Sequence, residues 1–474
     1  MDISLAPAVL ARLQPLLASG GDASRADTLR ALEDLETIFS QPLATSALYA
    51  HLARAEGGGA AIVDAMLAAG RRFSADDVVA GATFKALRAC VDAARGDRGG
   101  AVRARARALA TPAALALLES PARSGDAAAV GAAVLVALLV ANDEQGKAVA
   151  DAASMAALVA ERGVPRLAAV LAARWRETPR IAEGVSLVLH LMGTASTDSR
   201  TEAVAAGALP PLVGALELWA DDVPALRGAA AALMVLVNFS PHAKAAALAE
   251  GAPRRLVGVL RRHHRGGSPP SVLTGNVCAA LASLTAGVTS PAVAADLLAC
   301  DGWAALAVVL NDACGGGISA AASPVPRGGP PPTLSLQVAE AACMALTNSV
   351  KIAASILEKR AWEDAVVRAG AVAALLAAQR GGGADGTQRV GGEALTWLGS
   401  RSDALLVELG TCEAALRRSA CYCASGACPN VPTNVCGGCN ATHYCGEACQ
   451  GADWRAGHKT ECKALRRTRG DGDA

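Results

Sequence analysis

An all-α chain is what the sequence predicts: a long α-solenoid of stacked helical repeats, followed by a small cysteine-rich module. Three observations carry this. Apolar residues make up 52% of the 474 residues but aromatics only 3%, so Ala and Leu carry the hydrophobicity. Such side chains favour helix and let helices approach closely, whereas a compact core draws more on large aromatics. A Gly-containing phrase recurs before apolar helical runs. Nine of the fourteen cysteines fall after residue 410.

The opening segment, Met1 to Leu17, has no basic stretch and no small-residue cleavage site, so it does not read as a signal peptide. The longest apolar run, Ala129–Ala141, is too short for a bilayer and is followed by Asp143 and Glu144. It fits a buried helix. The formal net charge of +1 gives no global field toward nucleic acid or an acidic substrate. The scattered Cys90, Cys278, Cys300, Cys314 and Cys343 read as small buried hydrophobes. Clustering of the rest predicts metal ligation in a reducing compartment rather than a disulfide framework. The expectation is an intracellular protein, cytoplasmic or nuclear, not secreted and without a membrane.

The recurring phrase starts at Gly163, Gly207, Gly251, Gly302 and Gly370, each followed by an apolar helical run. The first two intervals, 163 to 207 and 207 to 251, are equal. The later ones carry insertions, His263–Ser271 and Gly315–Thr333, the second with three prolines at 330–332. A loop is also expected at Arg380–Arg389. Weaker echoes occur near Gly59 and Pro112 and at Ala6. A second phrase precedes the Gly phrase and closes on Asn238 and on Asn348, with Asn142 a third candidate. A period of about 40–47 residues belongs to armadillo and HEAT repeats, whose units bury their apolar faces only by stacking.

These phrases resemble the armadillo repeat, with HEAT left as an alternative. The resemblance is clearest over 160–410 and sets the solenoid at 1–415. It implies that Gly turns the chain between helix one and helix two, that Pro opens helix two, and that helix three ends near the Asn. It also implies that Asn238 and Asn348 face a peptide-binding groove. The local alternative is that each Asn simply ends its helix. Nuclear-import receptors of this class carry Trp four residues before the groove Asn. Here Met234 and Met344 stand there, which argues against basic-peptide recognition by that mechanism.

The C-terminal ladder runs Cys423, Cys428, Cys436, Cys439, Cys445, Cys449, His458, Cys462. Eight ligands in four close pairs suffice for two closed tetrahedral zinc sites. Cys445 and Cys449, like His458 and Cys462, are spaced i, i+4, one face of a helical turn. Gly437 and Gly438 let the backbone curl within the Cys436–Cys439 knuckle. Cys421 is an alternative to Cys423 as first ligand, and His443 reads as an exposed imidazole rather than a ninth ligand.

The text Cys436-Gly-Gly-Cys439, His443-Tyr-Cys445, Cys449-Gln450, Asp453-Trp454, His458 and Cys462 resembles a MYND zinc finger, placed at 423–462. A RING finger would need a mid-ladder His ligand, where His443 reads as exposed, and a closing Cys-x2-Cys, which is absent from the sequence. The MYND resemblance implies interleaved pairs: one zinc on Cys423, Cys428, Cys445 and Cys449, the other on Cys436, Cys439, His458 and Cys462. It further implies a proline-rich peptide surface around Gln450 and Trp454, although Gly437 stands where the family has a contacting Ser. Packing of Trp454 against the metal-bound helix is the alternative role.

Closed sites disfavour zinc–water catalysis, which needs an open position. MYND fingers also accompany lysine methyltransferases, but no Asn-His-Ser-Cys cofactor segment occurs and Tyr49 alone lies outside the finger region. The residues 463–474 read as a basic, disordered tail. Nucleic-acid association through Lys463, Arg466, Arg467 and Arg469 is an alternative, but Asp453, Glu461, Asp471 and Asp473 dilute that charge. The function expected is a non-enzymatic adaptor: the solenoid holds one protein partner and the finger another.

Overall fold

The computed structural model describes residues 24–40, 58–73, 76–94, 100–142, 148–238, 240–264, 270–287, 291–314, 333–356, 359–380, 385–399, 409, 434–439, 442–444 and 446–470. The chain divides into two compact units, Met1–Leu236 and Val237–Ala474, with the boundary inside a helix.

From residue 152 onward the helices come in threes. In the first unit these are Ala152–Ala160, Gly163–Arg174 and Pro179–Ala195, then Thr197–Ala205, Leu209–Leu218 and Val223–Val237. In the second unit they are Pro241–Ala249, Ala252–His263 and Val272–Thr285, then Pro291–Ala299, Gly302–Ala313 and Thr333–Ile356, then Lys359–Arg368, Ala371–Arg380 and Asp385–Gly399. A short helix, a second at an abrupt turn, and a longer third form the armadillo unit; HEAT units have two helices. Residues 152–399 are armadillo-like repeats.

The sharp turn sits between helices one and two. A left-handed residue makes it: Gly207, Gly251 and Gly370 at φ 80, 72 and 66°. Only Gly adopts this region without a Cβ penalty. In two repeats the phrase is shifted by one residue. The left-handed positions there are Arg162 (φ 51°) and Asp301 (φ 53°), and Gly163 and Gly302 come one residue later, at the start of helix two. Those two glycines answer to space instead. A Cβ on Gly163 would lie 2.3 Å from Leu158 Cδ1, and one on Gly302 2.8 Å from Leu297 Cδ2.

Within each unit the third helices stack in a row. Arg25–Phe39 packs on Asp77–Ala93, which packs on Gly125–Leu139, which packs on Pro179–Ala195. In the second unit Val272–Thr285 packs on Thr333–Ile356, and that on Asp385–Gly399. Small residues set the approach: Gly184 faces Ala132, and Gly228 faces the Glu183 backbone, where a Cβ would meet atoms at 2.7 and 2.9 Å. The core is Leu, Val and Ala, including fully buried Leu32, Leu87, Leu135, Leu281 and Leu346. Cys90, Cys278 and Cys343 are buried in it as expected, whereas Cys300 and Cys314 are only half-buried, and burial pushes the Cys278 thiol up to about 12.

Helix ends are closed by side chains. Ser196, Ser240 and Ser271 accept N–H groups three residues on, and Thr178 does so for Ile181. Buried Arg103 donates to the carbonyls of Leu138 and Val140 at 2.8 and 3.0 Å and to Asp151 at 2.9 Å. Buried Arg174 donates to Leu118, Ser120 and Arg123 carbonyls and to Glu177. Lys244 donates to the Ala286 carbonyl. These cations satisfy carbonyls that a helix terminus leaves without partners.

The insertions fall where expected: helix two ends at His263 and helix three starts at Val272, and Thr333 opens its helix. Four expectations are corrected. The helix Asp385–Gly399 begins inside the loop expected at Arg380–Arg389. Pro112 lies well inside the helix Gly100–Glu119 rather than at its start, whereas Gly59 does stand at the start of a helix, Gly58–Arg72. Asn142 belongs to a two-stranded hairpin, Val140–Asn142 with Ala148–Ala150, and not to a helix end. Residues 463–470 are helical, as part of Lys459–Gly470, rather than a disordered tail, and 471–474 lie outside the described residues. Ala6 lies outside the described residues. Ala129–Leu139 is a buried helix, and among the described residues no single helix is long and apolar enough to cross a membrane.

Asn238 follows the last residue of its helix and is half-buried. Asn348 is also half-buried but does not end a helix, which runs on to Ile356; Met344, one turn before it, is 37% exposed.

Candidate metal centre

The finger's described core begins with a short hairpin, Asn434–Val435 paired antiparallel with His443–Tyr444. Between the strands the chain curls through Cys436 to Cys439, and the Cys436 N–H donates to the Thr442 carbonyl at 2.8 Å. A side chain on Gly437 would meet nothing within 4 Å. The helix Glu447–Asp453 follows, then a π-helical turn, Trp454–His458, and the helix Lys459–Gly470. Gly457, at φ 139°, makes the break between the two helices. That break delivers His458 and Cys462 to the knuckle.

Cys436, Cys439, His458 and Cys462 are all buried, and their ligand atoms lie within 4.8 Å of one another. Cys436 Sγ is 3.9 Å from Cys462 Sγ and 3.4 Å from His458 Nε2, and Cys439 Sγ is 3.7 Å from that nitrogen. With zinc–sulfur bonds of about 2.3 Å and zinc–nitrogen bonds of about 2.0–2.1 Å, tetrahedral corners stand roughly 3.5–3.8 Å apart. The donor set and its edges therefore fit Zn2+, and three thiolates with one imidazole leave no open position.

The thiols show why a cation belongs there. Burial pushes the Cys436 thiol up, but N–H groups of Cys439 and Gly438 and the His458 ring outweigh it and hold the thiol at about 6. Cys462 is pushed up to about 11 by burial and by the neighbouring thiols. Three thiolates cannot crowd together without positive charge among them.

Supporting contacts orient the ligands. His458 Nδ1 faces Glu461 Oε2 at 3.4 Å, leaving Nε2 for the metal. Tyr444, fully buried, donates its hydroxyl to Asp453 Oδ2 at 2.7 Å. Its ring meets His458 edge-on at 5.9 Å, as does that of Trp454. Trp454 braces His458, the packing role weighed from the sequence, and 39% of it stays exposed. Gln450 is half-buried on the preceding helix.

The second ligand set is thus brought together as the interleaved reading implies. Of the first set, Cys449 is described and half-buried, in the helix Glu447–Asp453. Cys449 lies in the first turn of that helix, which starts at Glu447. Cys421, Cys423, Cys428 and Cys445 lie outside the described residues. The sequence reading missed Tyr444–Asp453 and Glu461. The spacing of Glu461, three residues after His458 on a helix, was the available signal.

Residues 419–462 match the family model for the MYND finger. The C-terminal segment is a MYND-type zinc finger. A segment of 41 residues is 44% identical to ubiquitin carboxyl-terminal hydrolase 19 of Arabidopsis thaliana, covering 9% of this chain and 6% of that protein. The likeness to that hydrolase is therefore confined to those 41 residues. Among solved structures, an engineered protein aligns at a TM-score of 0.57 with 19% identity, over 87% of this chain and 85% of its own. A designed armadillo repeat protein aligns at 0.43 with 18% identity, over 61% and 99%. The first likeness bears on the fold alone.

Proposed function

We propose that this chain is a non-enzymatic adaptor, in which the MYND finger and the armadillo-like repeats each bind a protein or peptide. The observation that carries this reading is the closed ligand set beneath a half-exposed Trp454. A metal with four protein ligands staples a fold, and fewer than fifty residues need such a staple. What it holds up is a rigid aromatic face, with Gln450 nearby in sequence. A flat indole suits a stiff, low-entropy extended peptide, proline-rich ones included.

A second zinc on Cys423, Cys428, Cys445 and Cys449 completes the finger in this reading. Metal ligation by free thiols fits a reducing compartment, cytoplasm or nucleus. For the repeats, support comes from a groove of about 950 Å³ in the first unit, with small apolar residues on its floor and Lys85, Arg88, Asp92, Arg180 and Glu183 around it. In the second unit the candidate is Asn348, half-buried one turn after the exposed Met344.

The test is affinity capture with wild-type chain and Trp454→Ala in parallel. Partners lost only in the variant belong to the finger, and partners kept by both belong to the repeats. Identical capture by both, with zinc content unchanged, would remove Trp454 from the reading.

A further inference from the structure

The sequence reading set the acids Asp453 and Glu461 against the basic residues around them. The structure spends both acids internally. Asp453 is buried and accepts from the Tyr444 hydroxyl. Glu461 faces the Nδ1 of the zinc ligand His458. From Trp454 to Ala464 Glu461 is the one acid in the sequence, so the cations of this stretch dominate its surface. Arg455, Lys459 and Lys463 follow one another at four-residue intervals, and all three are exposed. Lys459 and Lys463 lie one turn apart on one face of the helix Lys459–Gly470. The exposed Trp454 precedes them directly.

We infer that this part of the finger takes an acidic peptide, its carboxylates on the Lys459–Lys463 face and on the exposed Arg455 just before it in sequence, and an apolar or proline residue against Trp454. The inference rests on the finger being a peptide-binding module and names the chemistry of its partner. Charge complementarity selects the occupant. Lys459 and Lys463 are about 6 Å apart along the helix axis, close to the repeat of alternate side chains in an extended peptide, about 6.8 Å.

The test uses fluorescence anisotropy with the zinc-loaded full chain. One probe is a short labelled peptide alternating glutamate with proline and leucine. The second is its glutamine counterpart, and the third a labelled single-stranded oligonucleotide. The glutamate peptide is expected to bind about tenfold more tightly than the glutamine peptide at low salt, with the preference shrinking as salt rises. The double variant Lys459→Glu/Lys463→Glu, with zinc content checked, should abolish that preference, and Trp454→Ala should weaken both peptides. Equal binding of the two peptides, still dependent on Trp454, overturns the inference and leaves the peptide-binding reading standing. Tighter binding of the oligonucleotide overturns the inference in favour of nucleic acid. Failure of every probe to bind overturns the inference too, and only the capture experiment then bears on the broader reading.

Discussion

Arg162 and Asp301 occupy left-handed turns that three sister repeats give to glycine. A non-glycine residue there costs about 1–2 kcal/mol, offset in part by the chain entropy that Gly adds to the unfolded state. Arg162→Gly and Asp301→Gly are therefore expected to stabilise by about 0.5–1 kcal/mol, read as a higher urea midpoint at unchanged slope. Gly163→Ala should do the opposite, by about 1–3 kcal/mol, because its Cβ would drive into Leu158. These residues also mark the limit of sequence reading at this scale. The phrase revealed that a turn exists, but identity alone could not distinguish a glycine needed for its backbone angle from one needed for its size. Asp151 offers a pH test. Burial raises its carboxyl, but the Arg103 hydrogen bond, the Ser154 N–H, and the charges of Arg107 and Arg103 prevail and hold it below the ordinary carboxylate range. A depressed folded-state value stabilises above the unfolded value, near pH 4, and that contribution is lost as pH falls through the folded one. The stability gap between wild type and Asp151→Asn should accordingly be open at pH 7 and narrow below pH 4 in urea titrations.

At the scale of elements, the third helices carry the row: Asp77–Ala93, Gly125–Leu139 and Thr333–Ile356 each pack on a row neighbour at both sides. Leu346→Ala, at a fully buried position in Thr333–Ile356, should cost about 2–5 kcal/mol, checked by chemical denaturation. Apolar periodicity made such helices legible from sequence, and the cap at Ser271 and the helix start at Thr333 fall where the insertions stop. The start at Asp385 was obscured because its first turn holds Gly386, and the preceding 381–384 read as one glycine-rich loop with it. The finger's last helix was obscured for a different reason. Lys463-Ala-Leu-Arg-Arg is charged and has no apolar stripe, yet Cys462 and His458 anchor its first turn on the metal cluster and the helix propagates from there.

The whole molecule joins two kinds of stability. The repeats are held by neighbour-to-neighbour burial and the finger by metal. Structural zinc contributes on the order of 10–16 kcal/mol in peptide systems. Chelation, or Cys462→Ser, should therefore unfold the finger and leave the helical far-UV signal of the repeats nearly intact; a collapse of helicity throughout the chain would contradict this. The ligand ladder was legible because metal ligation fixes residue type and spacing together. The exposed basic face was not, because whether Asp453 and Glu461 point outward or inward depends on Tyr444 and His458, which only the fold brings to them. Neighbour-only packing also has a mechanical meaning. Pulled from its ends, such a stack should yield one repeat at a time, and the turn positions set the length of chain each rupture releases. The units between Arg162, Gly207 and Gly251 would pay out about 150 Å apiece, and the one from Asp301 to Gly370, with its insertion, about 240 Å. A force–extension trace would then write the repeat register of this chain as a series of unequal steps.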